Sequence, residues 1–342
     1  MSSNTRHSIK DIARENGVSI TTVSFVLNGK AREKKISVAV TNKILDYIKK
    51  INYRPNPIAQ SLRTGKSKII VCMVEDISNN FFSRFARMIE DLAYKKGYKV
   101  LFCSNENDDV KSVELINLFK ERGVDGYIIV PSSGIEKTVK QLIDENIPVV
   151  LFDRYFPDLE SSFVVVNNKE SSFEATKHLI KNGFKKIGFI TTDVEQTQMT
   201  DRCLGYKEAL LKSDLKECVL QVSLNEMDRD GGKSKIEEFL KQNQQLDAIF
   251  FATNYLAISA IKVIKEHYPD YLINKGIISF DDIGLFDIYS PTISAISQPL
   301  KQITEKLMSI ILNQLKVDGK KTHTKTILKT KLILRESSQK RQ

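Results

Sequence analysis

The sequence predicts an all-α helix-turn-helix head joined to a larger α/β body of two lobes. Three observations predict this. Positive charge is concentrated at one end: residues 1–66 hold 13 Lys and Arg against 4 Asp and Glu, a net of +9, and the rest hold 39 against 38. Within the basic stretch, two short helical patterns flank a glycine-containing turn. Beyond it, short apolar runs alternate with amphipathic helical stretches, the pattern of parallel sheets covered by helices.

Composition narrows the class. With 342 residues, 41% hydrophobic and 27% charged, the chain buries a core and divides into two or three domains. Its 15 glycines exclude collagen-like repeats. The four cysteines, at 72, 103, 203 and 218, match neither a disulfide framework nor a CxxC zinc pattern and read as cytosolic thiols. Residues 1–7 contain no apolar stretch of a secretory signal, and the uncharged run from Ala248 to Ile261 is too short to span a bilayer. The expectation is a cytoplasmic protein with no membrane partner.

The head reads in order. Ser8 caps a helix through Ile9, Ile12 and Ala13, with Asp11 three residues on. Asn16-Gly17-Val18 breaks it, Gly17 being suited to a positive φ. Ser19 caps a second helix from Ile20 to Leu27, which stops at Asn28-Gly29. Ser37 opens a third, Val38 to about Ile51. On the second helix Val23, Val26 and Leu27 turn inward, while Thr21, Ser24, Phe25 and Asn28 share the other face, as on a helix that enters the major groove. Phe25 is either a core residue or an apolar contact to a thymine methyl; its polar company favours the contact. In the next segment Asn56 caps a short helix with Pro57 at its first position, ending at Gly65. Two turns alone are marginal in water, so this helix needs a packing partner to form.

These residues carry a resemblance. Ile9-Lys10-Asp11-Ile12-Ala13, Gly17-Val18-Ser19, Thr22-Val23-Ser24 and Val26-Leu27-Asn28-Gly29 are similar to the head of the lactose/galactose repressor family. Tyr53-Arg54-Pro55-Asn56, Ala59, Ser61-Leu62-Arg63 and Gly65 resemble its hinge helix. The resemblance implies a homodimer on a roughly palindromic double-stranded operator, with Ser19, Ile20, Thr21, Thr22, Ser24, Phe25 and Asn28 at the major groove. It implies that Asn56, Ala59 and Leu62 act at the minor groove, Leu62 as an intercalating wedge. Two departures stand out. Phe25 occupies the place of the family's usual arginine, and Ala31 to Ile36 is about three residues longer than the common pattern.

In the body, strands are expected at Ile69–Val74, Lys99–Cys103, Gly126–Val130, Pro148–Phe152, Phe163–Val166, Ile187–Ile190, Cys218–Val222, Ala248–Ala252 and Gly276–Phe280. Helical stretches include Phe82–Lys95, Val110–Glu121, Ser171–Lys181, Gly205–Leu211 and Leu256–Glu266. The order resembles the periplasmic-binding-protein-like effector domain of that family. That fold implies three crossings between lobes, near Val164–Asn168, near Ser294–Ser297 and after Gly319. The resulting division is residues 1–54 for the head, 55–66 for the hinge and 67–342 for the effector-binding and dimerisation domain. Lobe 1 takes about 67–165 and 297–330, and lobe 2 about 166–296. Only six residues follow Glu336, which leaves no room for the family's tetramer-forming tail.

Ligands of open α/β sheets sit beyond the carboxyl ends of the strands. Polar residues fall there: Asp76, Ser104, Asn105, Ser132, Ser133 and Asp153-Arg154 in the first lobe, then Thr191-Thr192, Asn254 and Asp281-Asp282 in the second. Each alone is an ordinary loop residue; as a set they outline a polar cleft. Phe81 and Phe82 either stack on a ligand ring or staple their helix.

The family comparison sharpens the list. Ser78-Asn79-Asn80-Phe81-Phe82 resembles a Ser-Asn-Pro-Phe-Phe motif, with Asn80 replacing proline. Asp201-Arg202-Cys203-Leu204-Gly205-Tyr206 resembles an Arg-x-x-Gly-Tyr motif. Ala252-Thr253-Asn254 matches Ala-x-Asn-Asp with Tyr255 last, and Ser279-Phe280-Asp281-Asp282 matches Gly-Phe-Asp-Asp. The implied effector residues are Phe82, Asp153, Arg154, Arg202, Asn254, Asp281 and Gln298, and the implied effector is a sugar or sugar derivative, with a purine or sugar phosphate behind it.

The competing reading is an α/β enzyme for sugars or nucleotides with a basic appendage. No GxGxxG follows a strand, and GxxxxGK[ST], HExxH and GxSxG are absent. The four histidines, at 7, 178, 267 and 323, have no metal spacing, so neither metal nor cofactor is expected. A transport solute-binding protein is a third reading, which the basic head and the N-terminal sequence disfavour.

Overall fold

The computed structural model describes residues 7–53, 65–316 and 322–339, and the chain forms two compact units, Met1–Ser67 and Lys68–Gln342. Asn56, Ala59 and Leu62 of the expected hinge lie outside the described residues.

The first unit is a three-helix head: α1 (Ile9–Asn16), α2 (Ile20–Leu27) and α3 (Val38–Lys50). Local chemistry sets each boundary. Ser8 Oγ accepts from Asp11 N while the Asp11 carboxylate accepts from Ser8 N at 2.9 Å, a reciprocal cap. Gly17 ends α1 at φ 65°, a left-handed conformation that costs glycine little. Ser19 Oγ accepts from Thr22 N at 3.1 Å to start α2, and Ser37 does the same for α3. Ile12, Ala13, Val23, Val26 and Ile44 form the buried core.

The second unit contains two six-stranded sheets. In the first lobe run β1 (Ile69–Val74), α4 (Asn80–Lys95), β2 (Lys99–Ser104), α5 (Asp109–Glu121), β3 (Gly126–Ile129), α6 (Glu136–Asp144), β4 (Val149–Phe152) and β5 (Phe163–Val166). In the second follow α7 (Asn168–Lys181), β6 (Ile187–Thr192), α8 (Thr197–Leu211), β7 (Cys218–Val222), α9 (Leu224–Asp230), α10 (Lys233–Gln242), β8 (Ala248–Phe251), α11 (Asn254–His267), α12 (Pro269–Asn274), β9 (Gly276–Phe280), α13 (Leu285–Ile288) and β10 (Ser294–Ser297). The chain returns with α14 (Leu300–Gln314), packed on the first sheet, and ends with β11 (Lys325–Leu328), β12 (Lys331–Ile333) and a 3-10 turn, Glu336–Ser338.

The sheets share one plan. Their orders are β11-β5-β4-β3-β1-β2 and β12-β10-β9-β8-β6-β7, parallel throughout except for β12 against β10. The chain passes between them after Val166, after Ser297 and after Leu328. Ser294–Ser297, expected as a crossing, is itself a strand that ends at one. Buried faces such as Val149–Phe152 and Ala248–Phe251 are uniformly apolar, as parallel strands covered on both sides must be. Among the described residues no helix is long and apolar enough to cross a membrane, and no group of three or more His, Cys, Asp or Glu is placed to hold a metal.

Candidate functional site

Two sites follow from this architecture, one in each unit. In the head, the outward face of α2 presents Thr21 and Asn28 exposed and Phe25 half-buried, while Val23 and Val26 face the core. The Ser19 and Thr22 hydroxyls are engaged with each other at 2.9 Å in the cap. Asn28 donates its amide to Ser24 O at 2.6 Å and to Ser24 Oγ at 3.3 Å, which holds both side chains. Phe25 lies outside the packed head cluster, and the Lys34 ammonium sits 5.6 Å from its ring centroid.

In the body, the carboxyl ends of β4 and β9 occupy equivalent places in the two sheets. Each is followed by an aspartate at positive φ: Asp153 at 69° and Asp281 at 68°. Left-handed backbone is unfavourable for most side chains and least so for Asn and Asp. Strain at the same point of both lobes marks the cleft between them.

Arg154 is 2% exposed and has an acceptor on each of its three nitrogens. Its Nε donates to Pro131 O at 2.7 Å, and Nη1 donates to Glu75 Oε2 at 2.9 Å and to Gln196 Oε1 at 2.7 Å. Its Nη2 donates to Asn107 Oδ1. Glu75, Asn107 and Pro131 belong to the first lobe and Gln196 to the second, so Arg154 spans the cleft.

Arg202 is its counterpart on α8, also 2% exposed. Its Nε donates to Asn168 Oδ1 at 2.9 Å and its Nη1 to Ala252 O at 2.8 Å, with Asp281 Oδ2 4.0 Å away. The guanidinium carbon lies 3.6 Å from the Phe280 ring centroid, a stacked cation–π contact. Gln298 donates to Asp281 Oδ1 at 2.6 Å. Gly205, one turn beyond Arg202, lets α8 close on α7: a Cβ there would stand 2.1 Å from Lys169 O.

The Asp153 carboxylate makes no hydrogen bond among the described residues. Burial pushes its pKa up to about 6, with Arg154 and Arg202 partly opposing the rise. Burial also raises Asp281, against the pull of Arg202 and Gln298. The Tyr255 phenol is pushed well up by burial and lies in the field of Glu75, Arg202 and Arg154, so it stays a protonated donor. The buried Thr192 Oγ1 and Gln198 Oε1 have no partner among the described residues. Buried polar atoms without partners are rare in folded proteins and suit a ligand.

The expected residues thus separate. Asp153, Arg154, Arg202, Asp281 and Gln298 converge, and Asn254, buried at the start of α11, lies on the same side of the second sheet. Phe82 packs edge-on against Phe81 and Phe152 in the first lobe's core and is 6% exposed. Asn105 donates to Val130 O, Ser132 pairs with Ser112, and Asp76 holds the turn at Ser78, all structural roles. Sequence reasoning missed Glu75, Asn107, Asn168, Gln196 and Gln198. Glu75 and Asn107 lie beside residues it singled out at the strand ends; the Gln196–Gln198 pair, at the start of α8, carried no motif. The 270 Å³ void lined by Phe184, Asp247, Lys275 and Ser337 lies at the opposite ends of the second sheet's strands and touches none of these groups.

Comparison with known proteins places both sites in context. Residues 8–56 match the family of bacterial regulatory proteins of lacI type, and residues 70–319 match a periplasmic binding protein domain. A transcriptional regulator of Clostridium saccharobutylicum, RegA, is 31% identical over 336 residues, 97% of this chain and 99% of its own length. The lac repressor dimer bound to operator and an anti-inducer has the same fold, with a TM-score of 0.85, 18% identity and 98% and 100% of the two chains covered. A regulator, CelR, solved as a cellobiose complex superposes at a TM-score of 0.68, with 20% identity over 97% and 100% of the chains.

Proposed function

This chain belongs to the lacI family of bacterial regulatory proteins, and from that premise we propose that it is a cytoplasmic transcriptional repressor released or engaged by a neutral polyhydroxylated effector. It is a DNA-binding regulator and not an enzyme, acting as a homodimer on an operator. The head supplies the DNA contacts through Thr21, Ser24, Phe25 and Asn28. The hinge residues Asn56, Ala59 and Leu62 carry the minor-groove contacts on the strength of the sequence.

One observation carries the effector class: the cleft brings three carboxylates, Glu75, Asp153 and Asp281, against two guanidiniums, Arg154 and Arg202, whose charges they already engage. With all ionised the cleft is net negative, which disfavours phosphates. Asp153 offers an unfilled acceptor. Arg202 Nη2 and the Asn254 amide are unused donors among the described residues. Acceptor and donors side by side suit vicinal hydroxyls, whose loss would leave buried polar groups unpaired. The similarly folded CelR in its cellobiose complex is consistent with that class. Effector binding changes operator affinity through a coupling free energy, typically ~1–3 kcal/mol. A thermal-shift screen of the full chain against neutral sugars, sugar phosphates and purines tests this reading, because a ligand stabilises the state it binds. Stabilisation by phosphates alone contradicts it.

A further inference from the structure

The turn after α2 holds a second, unassigned feature of the head. Lys34 N donates to Lys30 O at 3.0 Å, Lys35 N to Arg32 O at 3.2 Å and Ile36 N to Ala31 O at 2.9 Å, with Lys35 at φ 54°. Ala31 and Ile36 pack on the head core and anchor the turn at both ends. The turn therefore folds back along α2 and does not extend away from it. That return brings the Lys34 ammonium to 5.6 Å from the Phe25 centroid, on the face that also carries Thr21 and Asn28. Glu33 lies 3.2 Å from the same ammonium and steadies it, and the Lys34 side chain remains 43% exposed. Lys30, Arg32 and Lys35 around it are exposed.

We infer that Lys34 and Phe25 form one composite base-reading element. This rests on the DNA-binding reading above. A phenyl ring on the groove-facing side of a helix offers a thymine methyl an apolar contact but no hydrogen bond. An ammonium held over that ring supplies the missing donor at a defined place beside it, directed at the acceptors of a neighbouring guanine edge. Phosphate contact needs only reach, and the turn's other three cations provide it. Lys34 is the cation drawn back over an apolar ring. The element thus specifies a thymine next to a guanine, read from two parts of the chain that the lengthened turn brings together.

The test selects bound duplexes from a randomised pool with full-length protein at fixed salt. Wild type is compared with Lys34→Ala and with Phe25→Leu. Lys34→Ala is expected to relax the preference at one base pair by roughly five- to hundredfold, the range of a lost guanine contact, and to leave the other positions unchanged. Phe25→Leu removes the ring under the ammonium but keeps an apolar contact, so it relaxes the guanine and retains the adjacent thymine. Matching thermal melts confirm that both variants fold, as expected for substitutions outside the head core. Uniform weakening at all sequences, with a shallower salt dependence, makes Lys34 a phosphate contact and overturns the inference. So does an unchanged preference. A wild-type protein that selects no sequence overturns the DNA-binding reading itself.

Discussion

Gln196 of the second lobe accepts a 2.7 Å hydrogen bond from Arg154 of the first, and its amide donates in turn to Asn107 of the first at 3.1 Å. Both Gln196 and Arg154 are buried. One side chain therefore ties the two lobes by two hydrogen bonds, with a 3.4 Å contact from Tyr155 N to Thr197 Oγ1 beside it.

Replacing Gln196 by Leu keeps the volume and removes both ties. Hydrogen bonds to charged groups contribute about 1.5–3 kcal/mol, so the balance between closed and open lobes shifts by roughly tenfold or more. The expected outcome is a larger radius of gyration by small-angle scattering and a correspondingly weaker effector. Unchanged scattering and affinity would show that the crossings alone set the lobe angle.

Asp153 gives a pH dependence with a definite sign. Its pKa rises from 3.8 unfolded to about 6 folded, so the folded state binds the proton more tightly between those values. The ligand-free protein loses stability as pH rises through that window and does not regain it above. Asp153→Asn removes the penalty. It is expected to raise the melting temperature near pH ~7.5, a gain on the order of 1–3 kcal/mol, with little gain near pH ~4. The same substitution weakens effector binding, because an amide offers one acceptor fewer.

Arg202→Met keeps much of the length and loses the fork. It leaves Asn168 and Asp281 without their cation in a buried place, which costs about 3–5 kcal/mol. Arg202→Lys retains the charge but cannot make the two divergent bonds or the stack on Phe280, so it should recover little. Denaturant melts of the three proteins decide this; full recovery by lysine would mean that charge alone matters.

Gly205→Ala tests the close approach of α7 and α8. The added carbon meets the Lys169 carbonyl, which is backbone and has no rotamer to yield. Overpacking typically costs about 1–3 kcal/mol, and this case sits at or above the upper end. The melting temperature falls and effector binding weakens with it, since Arg202 is carried by the same helix.

Much of the fold was legible because it is written in local chemistry. Ser8, Gly17 and Ser19 mark the head's helix ends, and continuous apolar runs mark strands covered on both faces. The three strands that were missed, β10, β11 and β12, are three or four residues long. β11 and β12 lie at sheet edges, carry Lys325 and Lys331, and have no apolar run to announce them. The charged centre of the cleft was legible from strand ends and motif resemblance. Gln196 and Asn107 were not, because an amide's role depends on which guanidinium the fold brings to it. Phe82 was not legible for the converse reason: an aromatic pair at a helix start looks the same whether it packs on a ligand or on Phe152.

The shared strand order has a consequence for how the molecule comes into being on the ribosome. Each sheet is completed by a strand from the same short stretch, β11 beside β5 and β12 beside β10, with the Ser337 hydroxyl then donating to Ile277 O at 2.6 Å. Domains ordinarily fold as they emerge, the N-terminal one first. Here both nascent lobes wait one strand short until residues 325–338 are made, so neither half of the sensor is finished before the other.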